Sequence, residues 1–150
     1  MNHFSVKYEV IAHSNEKRPI VTLTITSVEN HKNLEQIRSQ HISLQQGKQK
    51  QLKDMPVISW INFGVHGGEV SSTDSAIPIA YHLAAAKGKE IDKLLSNSVV
   101  LLTASMNPDG NSREASWNLR YSSNAIITDP NHALHGSPWP SGRTNHYWFD

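Results

Sequence analysis

Cysteine is missing altogether from these 150 residues, which excludes disulfides, thiolate metal sites and a Cys nucleophile and leaves the redox compartment unmarked. A dominant charge sign is missing as well. The 14 Lys+Arg stand against 13 Asp+Glu, for a formal net charge of +1, and no Lys/Arg cluster supplies the electrostatic footprint of nucleic-acid or anionic-membrane binding. We therefore expect no nucleic-acid partner. No apolar run approaches the roughly 20 residues needed to span a bilayer, so no transmembrane segment is expected. Met1 to Ile20 is polar and mixed in charge, without the basic start and apolar core of a signal peptide. That leaves the location open, an exported parent included. Internal repeats are absent, and the only biased stretch, Gln45 to Lys53, reads as a solvated connector between two ordered pieces.

What is there suits a globular fold. With 37% hydrophobic residues, a folded chain of this length buries about 68–70% of its unfolded surface, enough for one core and too little for two ordinary domains. Val6, Tyr8 and Val10 alternate with polar residues, as do Val21, Leu23 and Ile25, so each run predicts a strand with one buried face, joined through the turn Ser14-Asn15-Glu16-Lys17. Asn33 followed by Gln36 has the spacing of a capping box and opens an expected helix over 31–44. Beyond the connector, Val57 to Phe63 and Val99 to Leu102 are nearly continuous apolar runs, as expected of strands covered on both faces. Between them Ala76, Ile77, Ala80, Leu83 and Ala84 recur at helical spacing up to Gly88, and a shorter helix is expected over Glu90 to Leu95. Pro78 lacks the N–H that a helix interior uses, so it suits a helix that starts only a few residues earlier. From Asn107 onward the chain holds four of its seven Pro and three of its four Trp with little periodicity, which predicts long ordered loops.

Nine His in a chain without Cys is the composition feature that needs a reason. The stretch Gly64-Val65-His66-Gly67-Gly68-Glu69-Val70-Ser71 offers one, because a strand end there meets an imidazole and a carboxylate, both good zinc ligands. Two Gly between them let the backbone turn so that side chains three apart converge. By itself the spacing also suits a Gly-Gly turn whose Glu favours a helix N-terminus. Asn107-Pro108-Asp109-Gly110, just after the second buried strand, reads as a turn by its own chemistry. Gly142-Arg143-Thr144-Asn145 sets one Arg among polar and aromatic groups, where it can clamp a carboxylate or stabilise an oxyanion, or serve as an ordinary surface charge.

In this order the three pieces resemble the zinc carboxypeptidase family. His66-Gly67-Gly68-Glu69 matches its H-x-x-E, Asn107 to Gly110 its N-P-D-G, and Gly142-Arg143-Thr144-Asn145, with Asp150, the start of a block that runs G-R-x-N and then D-L-N-R. The surroundings, Ile25 to Asn30 and Trp139 to Arg143 among them, look like a branch of larger bacterial members. The resemblance implies an α/β fold with a mixed twisted sheet and helices on both faces, its site at the strand ends. It implies a zinc ion held by His66, Glu69 and one further His, with Arg143 polarising the scissile carbonyl and stabilising the oxyanion, and with Arg143 and Asn145 in substrate binding. The family's third His ligand and its glutamate base lie further along than any residue here; His132, His135 and His146 stand at neither position and are expected in loop structure or substrate contact.

The expectation is therefore that residues 1–150 are the N-terminal portion of a single catalytic domain of a peptidase acting on C-terminal peptide bonds. It carries two of three zinc ligands and the oxyanion arginine. Alone it would be a weak metal binder without useful peptidase activity, since a general base commonly contributes about 10²–10⁴-fold. Two other readings share the metal pair: a deacylase of small acyl-amino acids, and a catalytically inactive metal-binding fragment. An incomplete sheet would expose an edge through which copies of the chain associate.

Overall fold

The two alternating runs form a hairpin in the computed structural model, which describes residues 4–48 and 54–136. Strands β1 (Phe4–His13) and β2 (Pro19–Ser27) are joined by Ser14 to Arg18. Within that turn the Ser14 N–H donates to the Arg18 carbonyl at 2.9 Å and the Lys17 N–H to the Ser14 carbonyl at 3.0 Å, with Lys17 at φ 66°. The expected helix over 31–44 is instead two. Helix α1 (Val28–Lys32) is capped by Ser27, whose Oγ accepts the Asn30 N–H, and α2 (Leu34–Gln45) follows after a break at Asn33. Asn33 does not cap α2 as the sequence suggested, because its amide donates backward to the carbonyl and carboxylate of Glu29, both at 3.1 Å.

Strand β3 (Val57–Asn62), helices α3 (Val70–Ala85) and α4 (Lys89–Asn97), and strand β4 (Ser98–Thr103) complete a crossover unit. The strand order is β1-β2-β4-β3. A short turn makes the first pair antiparallel and a helical crossover joins the last pair, so the sheet is mixed. Val99 and Val100 point to opposite faces of β4 and both are buried, so this strand is covered on both sides as expected. Strand β3 is not. It lies at the sheet edge, with Val57, Trp60 and Ile61 at 61%, 56% and 40% exposure; an apolar run marks a strand but does not say whether a neighbour covers it.

Pro78 sits well inside α3 rather than near its start. Both it and Asp74, whose carbonyl loses its usual donor four residues on, face solvent. Helix α5 (Pro108–Tyr121) occupies a stretch expected to be loop, followed by a 3-10 turn over Ala133–His135. Among the described residues no helix is long and apolar enough to cross a membrane.

The chain divides into two compact units, each built from three segments. The first comprises Met1–Glu9, Thr22–Ile61 and Pro78–Leu102. Its core is Ile25, Ile91, Leu95 and Val100, with Leu23, Ala80, Leu83 and Ala86 packed against it. Beside it lies a buried polar knot: Thr26 Oγ1 donates to the Ser98 carbonyl at 2.6 Å, and Asn30 Nδ2 lies 3.0–3.1 Å from Thr26 Oγ1 and the carbonyls of Leu95 and Ser96. These bonds satisfy carbonyls at the end of α4, where a helix leaves its last four unpaired.

Candidate functional site

The second unit comprises Val10–Val21, Asn62–Ile77 and Thr103–Asp150, and it contains the H-x-x-E and N-P-D-G segments together. The chain leaving β3 stays registered on the chain leaving β4. The Phe63 N–H donates to the Thr103 carbonyl at 3.0 Å, the Met106 N–H to the Phe63 carbonyl at 2.9 Å, and the Asn107 N–H to the Gly64 carbonyl at 3.0 Å. Gly64 adopts φ 65°, and its N–H donates to Ser72 Oγ at 3.1 Å. A side chain here would be strained and would also run into Thr73 Oγ1, 2.4 Å from where a Cβ would stand.

His66 and Glu69 then share one turn. The Glu69 N–H donates to the His66 carbonyl at 3.2 Å and the Ser72 N–H to the Glu69 carbonyl at 3.0 Å, leading into α3. His66 is half-buried and Glu69 exposed. Gly67 is where the two motifs meet: a Cβ on it would lie 2.1 Å from the carbonyl carbon of Gly110 and 2.5 Å from its Cα. Only a glycine permits that backbone approach. On the next residue, Gly68, a Cβ would stand 3.7 Å from the Glu114 carboxylate. Glu114 Oε2 is buried and without a hydrogen-bond partner among the described residues, while Oε1 lies 3.4 Å from Asn118 Nδ2.

Asn107-Pro108-Asp109-Gly110 is a helix start rather than a free turn. Asn107 Oδ1 accepts the Gly110 N–H at 2.9 Å, and Pro108 takes the first helical position, where a missing N–H does no harm. Asn107 Nδ2 also reaches the Val65 carbonyl at 3.3 Å. Asp109 is 6% exposed and faces the β1–β2 turn. It accepts from Ser14 Oγ at 2.6 Å, from the Glu16 N–H at 3.0 Å and from Arg18 Nη1 at 2.8 Å. Burial pushes its carboxyl upward, but the bonds from Ser14, Glu16 and Arg18 outweigh this and hold it below the usual carboxylate range. Glu16 is also held low, by hydrogen bonds from Arg18 and Arg113. Arg18, Arg113, Arg120 and Trp117 line an open groove of about 370 Å³ beside this network.

Of the other histidines, His132 Nδ1 accepts the Leu134 N–H at 3.1 Å and His135 Nε2 lies 3.0 Å from the Ile127 carbonyl, so both serve loop structure. Arg143, Asn145 and His146 lie outside the described residues. The contributions of Ser14, Arg18 and Glu114 were not visible in the sequence. Ser14 and Arg18 stand 95 and 91 residues from Asp109, and no local spacing connects them.

The model of the zinc carboxypeptidase family matches residues 2–147. The chain belongs to the zinc carboxypeptidase family. No curated protein matches it. Among solved structures, it is similar to the crystal structure of thrombin activatable fibrinolysis inhibitor, with a TM-score of 0.54 at 17% identity over 84% of this chain. At that identity the likeness shows the fold, a mixed α/β sheet with helices. The match takes in 26% of that structure's chain, so this chain spans about a quarter of its length. Zinc carboxypeptidases depend on zinc, and the donor chemistry here fits that metal in part. One imidazole and one carboxylate come off a single braced turn, whereas among the described residues no group of three His, Cys, Asp or Glu is placed to hold an ion.

Proposed function

We propose that this chain supplies two of the three protein ligands, His66 and Glu69, of a zinc-dependent carboxypeptidase that hydrolyses C-terminal peptide bonds. Residues 1–150 would be the N-terminal portion of its single catalytic domain, and Arg143 would polarise the scissile carbonyl, with Asn145 beside it in substrate binding. The observation that carries this reading is the close approach of Gly67 to Gly110, which ties the His66–Glu69 turn to the family's second motif. A rigid two-donor turn is what a metal site needs from a strand end, because ligand geometry set in advance avoids ordering on binding.

The chemistry that a bound zinc supplies is Lewis acidity toward a carbonyl and activation of water near neutral pH. His66 and Glu69 hold and orient; neither is placed as the general base. With two ligands and no base at the family's position, the chain alone binds zinc weakly and turns over no peptide at a useful rate. The exposed edge strands β1 and β3 support self-association through the sheet edge, which would show as a concentration-dependent elution volume.

A zinc titration combined with a peptidase assay tests the assignment. Zinc affinity should fall at least about tenfold in His66→Ala and in Glu69→Gln, and neither a free peptide nor its C-terminally blocked form should be cleaved appreciably by the chain alone. Zinc affinity indifferent to both substitutions would overturn the ligand assignment. Efficient cleavage of the free peptide, lost in His66→Ala, would overturn the claim of inactivity, and preferential turnover of acyl-amino acids would replace the peptide substrate.

A further inference from the structure

The turn that carries His66 and Glu69 rests on Gly110, and Gly110 is the neighbour of the buried carboxylate Asp109. Asp109 is the second residue of α5, where an acid often serves only the helix dipole. Here both of its oxygens are committed elsewhere. Oδ1 takes Ser14 Oγ at 2.6 Å and Arg18 Nη1 at 2.8 Å, and Oδ2 takes the Glu16 N–H at 3.0 Å. The residues that donate to Asp109 are themselves fixed: the Arg18 N–H donates to Ser14 Oγ at 3.0 Å, and the Glu16 carboxylate holds the guanidinia of Arg18 and Arg113. Arg113 lies one helical turn beyond Asp109, so the β1–β2 turn grips the start of α5 at two successive points on one face.

From the opposite side the same first turn is held by Asn107, through the Val65 carbonyl at 3.3 Å and the Gly64 carbonyl at 3.0 Å. Gly110 is thereby pressed against Gly67, at a separation that leaves no room for a methyl group. Displacing the start of α5 by a few tenths of an ångström would move Gly67, and with it the two residues that flank the Gly pair.

We propose that Asp109 is a positioning residue for the metal turn: by clamping the β1–β2 turn onto the first turn of α5, it holds Gly110 against Gly67 and so sets how His66 and Glu69 converge. This rests on the reading of those two residues as zinc ligands. Groups that hydrogen-bond a metal's ligands commonly carry about 10–100-fold in affinity, and Asp109 acts one step further out, through backbone packing.

The test compares Asp109→Asn, Ser14→Ala and, as a remote control, Arg38→Ala, each in the 150-residue chain. Asn keeps the shape but sets an amide where the carboxylate accepted three donors; Ser14→Ala removes one of the three and leaves the fold intact if Asp109→Asn proves too disruptive. Zinc affinity is read by indicator competition, and the turn by hydrogen exchange at the Glu69 and Ser72 amides without metal. The expected result is about a tenfold loss of affinity in Asp109→Asn, a smaller loss in Ser14→Ala, and none in Arg38→Ala. Exchange at Glu69 and Ser72 should quicken in the first two while the β4 amides stay protected. Wild-type zinc affinity in folded Asp109→Asn or Ser14→Ala would overturn the inference and leave the ligand assignment standing. Zinc binding that His66→Ala does not weaken would overturn the ligand assignment, and this inference with it; amide exchange that still quickened at Glu69 would then show the clamp to be purely structural.

Discussion

The two compact units are held together by different physics. In the first, Ile25, Ile91, Leu95 and Val100 are buried against one another, and the polar groups beside them, Thr26 and Asn30, are satisfied by carbonyls at the end of α4. In the second, the described residues that fix the geometry are polar, charged or lack side chains: Asp109 under three donors, Glu16 between two arginines, Asn107 at the start of α5, Gly67 against Gly110. Apolar packing is forgiving of which atoms touch, since volume and pattern suffice to fold a core. A hydrogen-bonded clamp and a glycine contact admit one arrangement. The lesson is that the unit carrying the candidate site trades the stability of a core for definition of position, as sites held by supporting shells do.

Substitutions can break this contrast, and the largest effect falls in the apolar unit. Leu95→Ala should destabilise the fold by about 2–5 kcal/mol, the usual range for a buried leucine, read as a lowered urea midpoint. A loss under about 1 kcal/mol would mean the core is not where stability resides. Its counterpart is Gly67→Ala, whose methyl has no space beside Gly110. There the far-UV circular dichroism should survive while zinc affinity falls at least about tenfold; wild-type affinity would show that the turn tolerates displacement.

Asn30→Ala leaves the Leu95 and Ser96 carbonyls without their amide and should lower stability by about 1–3 kcal/mol, again by urea unfolding. The polar unit responds to acid instead. Asp109 and Glu16 have pKa values depressed in the native state, so their stabilisation is present in full above the ordinary carboxylate range near pH 4 and is lost as pH falls through the native values. Thermal melts from pH 7 down to 2.5 should therefore show a flat region and then an acid limb, and Asp109→Asn should make that limb shallower. The smallest effect has the opposite sign: Glu114→Gln removes charge from a carboxylate with one buried oxygen lacking a partner among the described residues and should raise stability by up to about 1 kcal/mol. A loss of stability would instead give Glu114 a favourable partner.

How far the sequence carried this differs between the two units for a physical reason. The positions of strands β1, β2 and β4 were legible because alternation or a continuous apolar run is written into adjacent residues; the single buried face expected of β1 and β2 was not found, since Val6, Tyr8 and Val10 on the edge strand β1 are exposed and β2 buries Thr22 and Thr26 as well as Ile25. Helix α5 was missed although its signals were local, an Asn cap, Pro at the first position and an acid in the first turn. Pro-Asp-Gly carries the same residues that make turns, and the helix interior has too few apolar positions to show a period. Trp117 and Tyr121, one turn from each other with tilted rings whose centroids lie 4.3 Å apart, are the exception. The exposure of β3 depends on which strands flank it and could not be read from Val57 to Asn62. At the site, His66 and Glu69 were found from a spacing of three, but the clamp that holds their turn joins Asp109 to residues more than 90 positions earlier, and only the fold brings these together.

Whether the His66–Glu69 turn ligates metal is read most directly from the response of the His66 ring resonances to added zinc, in the wild type and in Glu69→Gln. A ligating turn gives a saturable shift of the His66 signals in the wild type, well ahead of those of His132 and His135, and a clear weakening of that response in Glu69→Gln. His66 resonances that stay in place while zinc occupies other histidines would contradict it.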